Sequence, residues 1–175
     1  MSDVESLFAR NGVQLRLMHR DAADAEPEVV PYSVGITGSR SYPNLEFVAS
    51  YVRHLAANAP NRGIRIVTGN EPGDRGKAIG VDETAVNAAK DSGIAYLIIQ
   101  PEDRSRKGTY LARNTEIVKK SDAVVGFWDG ESRGTADTLV KAIKARKLKA
   151  VYGPDGVKRD LARVESRLKS KGFSF

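Results

Sequence analysis

The sequence predicts an α/β chain: a Rossmann-like parallel sheet of about five strands with helices on both faces. Three observations predict it. From Tyr32 onward, short β-branched runs alternate with segments of helical periodicity. The runs are nearly all apolar, as strands covered on both faces must be. Small or turn-forming residues follow several of them, for example Gly38, Gly69 and Pro101.

The strands are expected at Ser33–Thr37, Ile64–Thr68, Ile94–Gln100, Ala123–Phe127 and Leu148–Tyr152. Between the first two, Val48, Tyr51, Val52 and Leu55 recur at helical spacing. Val81–Lys90 and Thr109–Lys120 read as helices, as does the segment carrying Ala136, Leu139, Val140 and Ile143. Val157, Leu161, Val164 and Leu168 mark a last helix packing on the sheet. The first 30 residues differ in character. Val13, Leu15 and Leu17 alternate with polar neighbours and suggest an extra edge strand, while Asp21–Glu28 is acidic and Ala-rich, like a linker. The chain is therefore divided into an N-terminal extension and linker, residues 1–30, and a Rossmann domain, residues 31–175.

Composition excludes several classes. With 41% hydrophobic residues the chain can bury a core and does not resemble a disordered segment. Its longest apolar runs, such as Ala95–Ile99 and Ala123–Phe127, fall far short of the roughly 20 residues of a membrane-spanning helix. The opening MSDVESLFAR lacks the basic and apolar regions of a secretory signal, and the absence of cysteine fits a reducing cytoplasm, the expected location. Without cysteine, and with His19 and His54 the only histidines, thiolate and histidine metal sites have no ligand set. No cofactor is assigned, and magnesium arriving with a nucleotide is the ion that Asp and Glu leave open. The net charge of +6 is concentrated at the end: residues 138–175 hold 11 basic and 3 acidic side chains. That surplus is either a solvated helix face or a contact for a polyanion.

Ligands of an open parallel sheet bind beyond the carboxyl ends of the strands, where strand order reverses. The residues after each strand therefore carry the chemistry. In GITGSRSYP, Gly38 lets a phosphate approach the backbone, Ser39 offers a hydroxyl and an amide, and Arg40 a guanidinium, at the start of a helix. The stretch lacks the P-loop lysine and the three-glycine dinucleotide fingerprint, and a tight turn explains it equally. FWDGESRGTADT offers a second anion cradle in Asp129, Ser132, Arg133, Gly134 and Thr135, with helix capping as the plain alternative for Thr135. Trp128 reads as a base-stacking surface or as packing. Arg113 with Asn114 suits a phosphate and a sugar hydroxyl, or is a surface pair; Asp82 opens a helix and is either a site residue or an N-cap.

Together these pieces, Gly-Ser-Arg, Thr68-Gly69, Gly-Val-Asp-Glu-Thr-Ala, Arg-Asn-Thr-Glu-Ile-Val, Asp-Ala-Val-Val-Gly-Phe-Trp-Asp-Gly and Ser-Arg-Gly-Thr, resemble the SLOG superfamily. Within it the chain is most similar to the YspA-like group, and more distantly to lonely-guy phosphoribohydrolases and the DNA-processing protein DprA. The resemblance spans residues 33–152. It implies a nucleotide or nucleotide-derived ligand held by Gly38, Ser39, Arg40, Arg113, Asn114, Gly134 and Thr135, and a homo-oligomer. Lonely-guy enzymes carry a catalytic glutamate where this chain has Thr138, which argues against their activity unless Asp137 or Asp82 substitutes. Residues 70–79 lengthen a turn that is short in relatives, as a lid or a surface elaboration. Three functions follow. The first is binding or sensing a nucleotide-like small molecule. The second is hydrolysis or transfer at an N-glycosidic bond, with Asp82, Asp129, Glu131 or Asp137 stabilising the oxocarbenium-like charge. The third is nucleic-acid binding through Lys141, Lys144, Arg146, Lys147 and Lys149.

Overall fold

The computed structural model describes residues 5–8, 14–17, 29–60, 63–69, 80–103 and 107–175. Five strands, β3 (Tyr32–Gly38), β4 (Ile64–Thr68), β5 (Ala95–Ile98), β6 (Ala123–Phe127) and β7 (Leu148–Tyr152), pair in parallel in the order β5-β4-β3-β6-β7. The helices α1 (Leu45–Ala57), α2 (Val81–Asp91), α3 (Lys107–Lys119) and α4 (Arg133–Lys144) connect successive strands, and α5 (Leu161–Ser170) closes the chain. The sheet is built outward from β3 in both directions, so strand order reverses between β3 and β6. That reversal opens the crevice in which such folds place their ligands.

Two layers of apolar side chains hold the sheet. On one face α1 and α2 bury Val48, Val52, Val81 and Ala85 against Ile36, Ile66, Val125 and Phe127. Alanines 85, 88 and 89 keep α2 thin enough for this packing. On the other face α4 and α5 bury Leu139, Val140, Val164 and Leu168 against Val151, and Val118 of α3 meets Val124 and Ala142. The amphipathic spacing read from the sequence is thus the spacing of these contacts.

Three expectations change. Gln14–Leu17 is a strand, β2, but it pairs antiparallel with β1 (Glu5–Phe8) in a separate two-stranded sheet and does not extend the five-stranded one. An alternating segment takes whichever strand is near in sequence, and a hairpin closes a shorter loop than a crossover. Val157 lies outside α5 and is 55% exposed. Asp155 and Gly156, with Gly156 at φ +75°, turn the chain there, and Asp160 starts the helix by accepting from the Arg163 amide at 3.1 Å. The edge strand β5 is shorter than Ile94–Gln100. The linker at 21–28 and the long loop at 70–79 lie outside the described residues. Among the described residues no helix is long and apolar enough to cross a membrane.

Candidate ligand-binding site

The loop after β3 is bound into the fold more than the sequence suggests. A Cβ on Gly38 would fall 2.5–2.6 Å from three side-chain atoms of Val81, so this glycine lets α2 pack closely against the end of β3. Ser39 is fully buried. Its amide donates to the Phe127 carbonyl (3.1 Å) and its hydroxyl accepts from the Asp129 amide (3.3 Å), which fastens the end of β3 to the end of β6. Gly38 and Ser39 therefore join the ends of β3 and β6 to α2. Arg40 is exposed, and its charge acts on Arg113.

The β6–α4 loop is organised by Asp129. Its Oδ1 accepts from the amides of Glu131 and Ser132, both at 2.8 Å, and its Oδ2 from the Ser41 hydroxyl at 3.0 Å. Burial raises the Asp129 pKa, but these bonds and that from Ser39 outweigh it and hold the carboxyl below the ordinary range. Ser132 then caps α4, accepting from the Thr135 amide (3.4 Å) and hydroxyl (3.0 Å). Ser132 and Thr135 thus satisfy each other, and Thr135 is buried. What this helix start leaves open is Arg133 and Gly134, both exposed, with empty space where a Gly134 side chain would stand. Ser132 takes up the amides of Thr135 and Ala136, and the positive end of the helix dipole lies at this helix start. Trp128 is packing: its ring is 5% exposed among α4 and α5, and its indole donates to the Ser132 carbonyl at 3.1 Å.

Asn114, Asp137 and Lys141 form one network between α3 and α4. Asn114 is buried and its amide donates to Asp137 Oδ2 (3.0 Å) and the Gly134 carbonyl (3.3 Å). Lys141 donates to the same Asp137 oxygen (2.7 Å) and to the Leu111 carbonyl (2.6 Å). Glu131 is held by Arg167 and, at 2.7 Å, by Lys171 of the C-terminal helix end. Hydrogen bonds from these two cations hold its carboxyl below the usual glutamate range. Three of the four carboxylates considered for catalysis, Asp129, Glu131 and Asp137, therefore already hold loops and helices together.

Asp82 is different. It lies in the first turn of α2, beside the Thr68 hydroxyl, the backbone of Gly38 and Gly69, and the Arg113 guanidinium. Thr68 gives its hydroxyl proton to the Ile36 carbonyl (2.8 Å). Burial pushes the Asp82 carboxyl up to about 6, against the opposing pull of the Arg113 charge and of hydrogen bonds from the Thr68 side chain and the Gly38 and Gly69 backbone. Its Oδ1 is sealed from solvent and has no hydrogen-bond partner. Arg113 donates through Nη1 to the Gly69 carbonyl, yet its Nε is likewise buried and unpartnered. Burial also lowers the Arg113 pKa, while the Asp82 charge works in the opposite direction. A Cβ on Gly69 would fall 1.5 Å from Arg113 Nη1, so this glycine makes room for the guanidinium. Among the described residues no group of three or more His, Asp or Glu is placed to hold a metal ion.

No protein-family model matches the chain, and no curated protein matches it. Solved structures do. DNA processing protein A from Helicobacter pylori, described for its single-stranded DNA binding mode, matches with a TM-score of 0.52 at 22% identity, over 81% of this chain and 73% of its own. The protein of the same name from Streptococcus pneumoniae matches at 0.55 and 18%, over 71% of this chain and half of its own length. The molybdenum cofactor carrier protein from Chlamydomonas reinhardtii matches at 0.53 and 17%, over 80% of this chain and 99% of its own. The chain has the fold of these Rossmann-like proteins. At such identities the likeness extends to the fold alone.

The crevice thus brings together Arg40, Thr68, Gly69, Asp82, Arg113 and the open start of α4. It excludes Trp128, and assigns Ser39, Asp129, Ser132, Thr135 and Asp137 to its walls. Ser41 escaped the sequence reading. Its bond to Asp129 spans 88 residues, and a serine in a turn carries no signal of so distant a partner.

Proposed function

We propose that this protein binds a nucleotide or nucleotide-derived small molecule at the carboxyl ends of β3, β4 and β6, without turning it over. The observation that carries the reading is the division of labour in the crevice. The elements suited to an anion, the exposed Arg40 and the exposed Arg133–Gly134 start of α4, border a crevice whose carboxylates Asp129, Glu131 and Asp137 are bonded into the scaffold. A glycosidase needs a carboxylate free to meet the developing positive charge, and only Asp82 remains. The neighbours in fold support a binding role, since one is named as a carrier and another is described by how it binds single-stranded DNA. The second reading, nucleic-acid binding, is favoured by that DNA-binding neighbour and by the C-terminal basic surplus.

Thermal unfolding with AMP, ADP-ribose, NAD and GMP, with chromatography of the same mixtures, tests the proposal. A ligand of the native state at a hundredfold excess over its Kd adds about 2.7 kcal/mol of apparent stability. The expected outcome is a shift with one of these compounds recovered intact. Arg133→Glu should weaken that binding at least tenfold and leave the melting point of the free protein unchanged, because Arg133 is exposed. Released base would make the protein an enzyme, and no shift across the panel would refute the proposal.

A further inference from the structure

We infer that Asp82 and Arg113 form the selectivity half of the site and read an uncharged group of the ligand that presents a hydrogen-bond donor beside an acceptor. Vicinal sugar hydroxyls and the lactam edge of a base both have this chemistry. The inference rests on the nucleotide reading above and deepens it. Its basis is two atoms, Asp82 Oδ1 and Arg113 Nε, each buried and each without a hydrogen-bond partner. Buried polar groups are nearly always satisfied, so two orphans acting on one another in the crevice call for an explanation. The Arg113 charge acts on Asp82, yet neither residue uses these atoms to bond the other. Carboxylate oxygen is an acceptor only and guanidinium nitrogen a donor only, so the pair presents one of each. A group that completes both must itself donate and accept.

The same chemistry fixes which end of the ligand lies here. A phosphate is itself negatively charged and would be repelled by the Asp82 carboxylate, whereas the start of α4 offers the exposed Arg133 beside carboxylates already bonded into the scaffold. The two halves are adjacent, because Asn114, the neighbour of Arg113 in α3, bonds the Gly134 carbonyl at 3.3 Å. The hydrogen bonds that the Asp82 carboxyl receives, among them those from the Gly38 and Gly69 backbone, leave its Oδ1 without a partner. Gly69 keeps the guanidinium in place, and any side chain there would displace it.

The test is calorimetric titration of AMP, 2′-deoxy-AMP, GMP and inorganic phosphate into the wild type, Asp82→Asn and Gly69→Ala. The wild type is expected to prefer AMP over 2′-deoxy-AMP, if sugar hydroxyls are read, or GMP over AMP, if a lactam edge is read, by tenfold or more. Asp82→Asn should erase that ratio. Gly69→Ala, which keeps the Asp82 carboxylate and displaces the Arg113 guanidinium, should erase it as well and serves if Asp82→Asn fails to fold. A wild type that binds phosphate and all three nucleotides without either preference overturns the inference alone. So does a preference that survives in the variants. Silence from every probe, inorganic phosphate included, overturns the nucleotide reading and this inference with it.

Discussion

Asp82 and Asp129 border the same crevice with opposite electrostatics. Asp129 accepts amide and hydroxyl donors on both oxygens and stays ionised; Asp82 is desolvated, with an unpaired oxygen and a carboxyl pushed up to about 6. Because the folded pKa of Asp82 lies above its ordinary 3.8, the native state binds this proton more tightly than the unfolded chain does. The stabilisation is fully present below the lower value and is lost as pH rises through about 6. Urea midpoints of wild type and Asp82→Asn should therefore diverge between pH 4 and pH 7.5, the wild type losing stability relative to the variant. A difference that stays constant with pH would contradict the burial of Asp82. At this scale the sequence singles out both aspartates but not the partners that set them apart. The donors that separate them come from loops as much as 88 residues away.

Among the elements, α3 and α4 depend on a polar tie. Asp137 accepts from Lys141 and Asn114, with its side chain 17% exposed and that of Lys141 25% exposed. Removing the carboxylate leaves the buried Asn114 amide with only the Gly134 carbonyl and the Lys141 ammonium with only that of Leu111. Asp137→Ala is expected to destabilise by about 1–3 kcal/mol in urea unfolding. A catalytic Asp137 would instead lose activity at unchanged stability. Periodicity placed β4, β6 and β7 residue for residue, because a strand buried on both faces has little freedom in composition. It failed at Val157, where helical spacing falls by coincidence on a turn fixed by Asp155 and Gly156.

For the molecule as a whole, the basic C-terminal segment divides the binding hypotheses. Lys147 donates to the carbonyls of Val118 (2.9 Å) and Lys119 (3.2 Å), closing the end of α3. Lys141 holds Asp137, Arg159 holds Asp155 at 2.8 Å, and Arg167 with Lys171 holds Glu131. Lys169 lies 5.3 Å over the Phe175 ring. Much of the surplus charge is thereby directed at the protein's own acceptors. Single-stranded DNA should bind weakly, with its affinity falling less than about tenfold between 50 and 200 mM salt, as for few phosphate contacts. A steeper fall, measured by fluorescence anisotropy of a labelled oligonucleotide, would return the advantage to nucleic-acid binding.

The sequence by itself determined the αβ alternation, five strands, the helical faces and the loops around the crevice. These are written in local periodicity and turn residues, which act over a few positions. Only the tertiary structure decided which candidates are tied into the scaffold. Gly38 reads like an anion-binding glycine, and the fold sets Val81 where its side chain would stand; Asp137 reads like a catalytic acid, and the fold bonds it to Asn114 and Lys141. Whether a polar side chain is free depends on partners brought near by the fold, and sequence spacing carries no record of them.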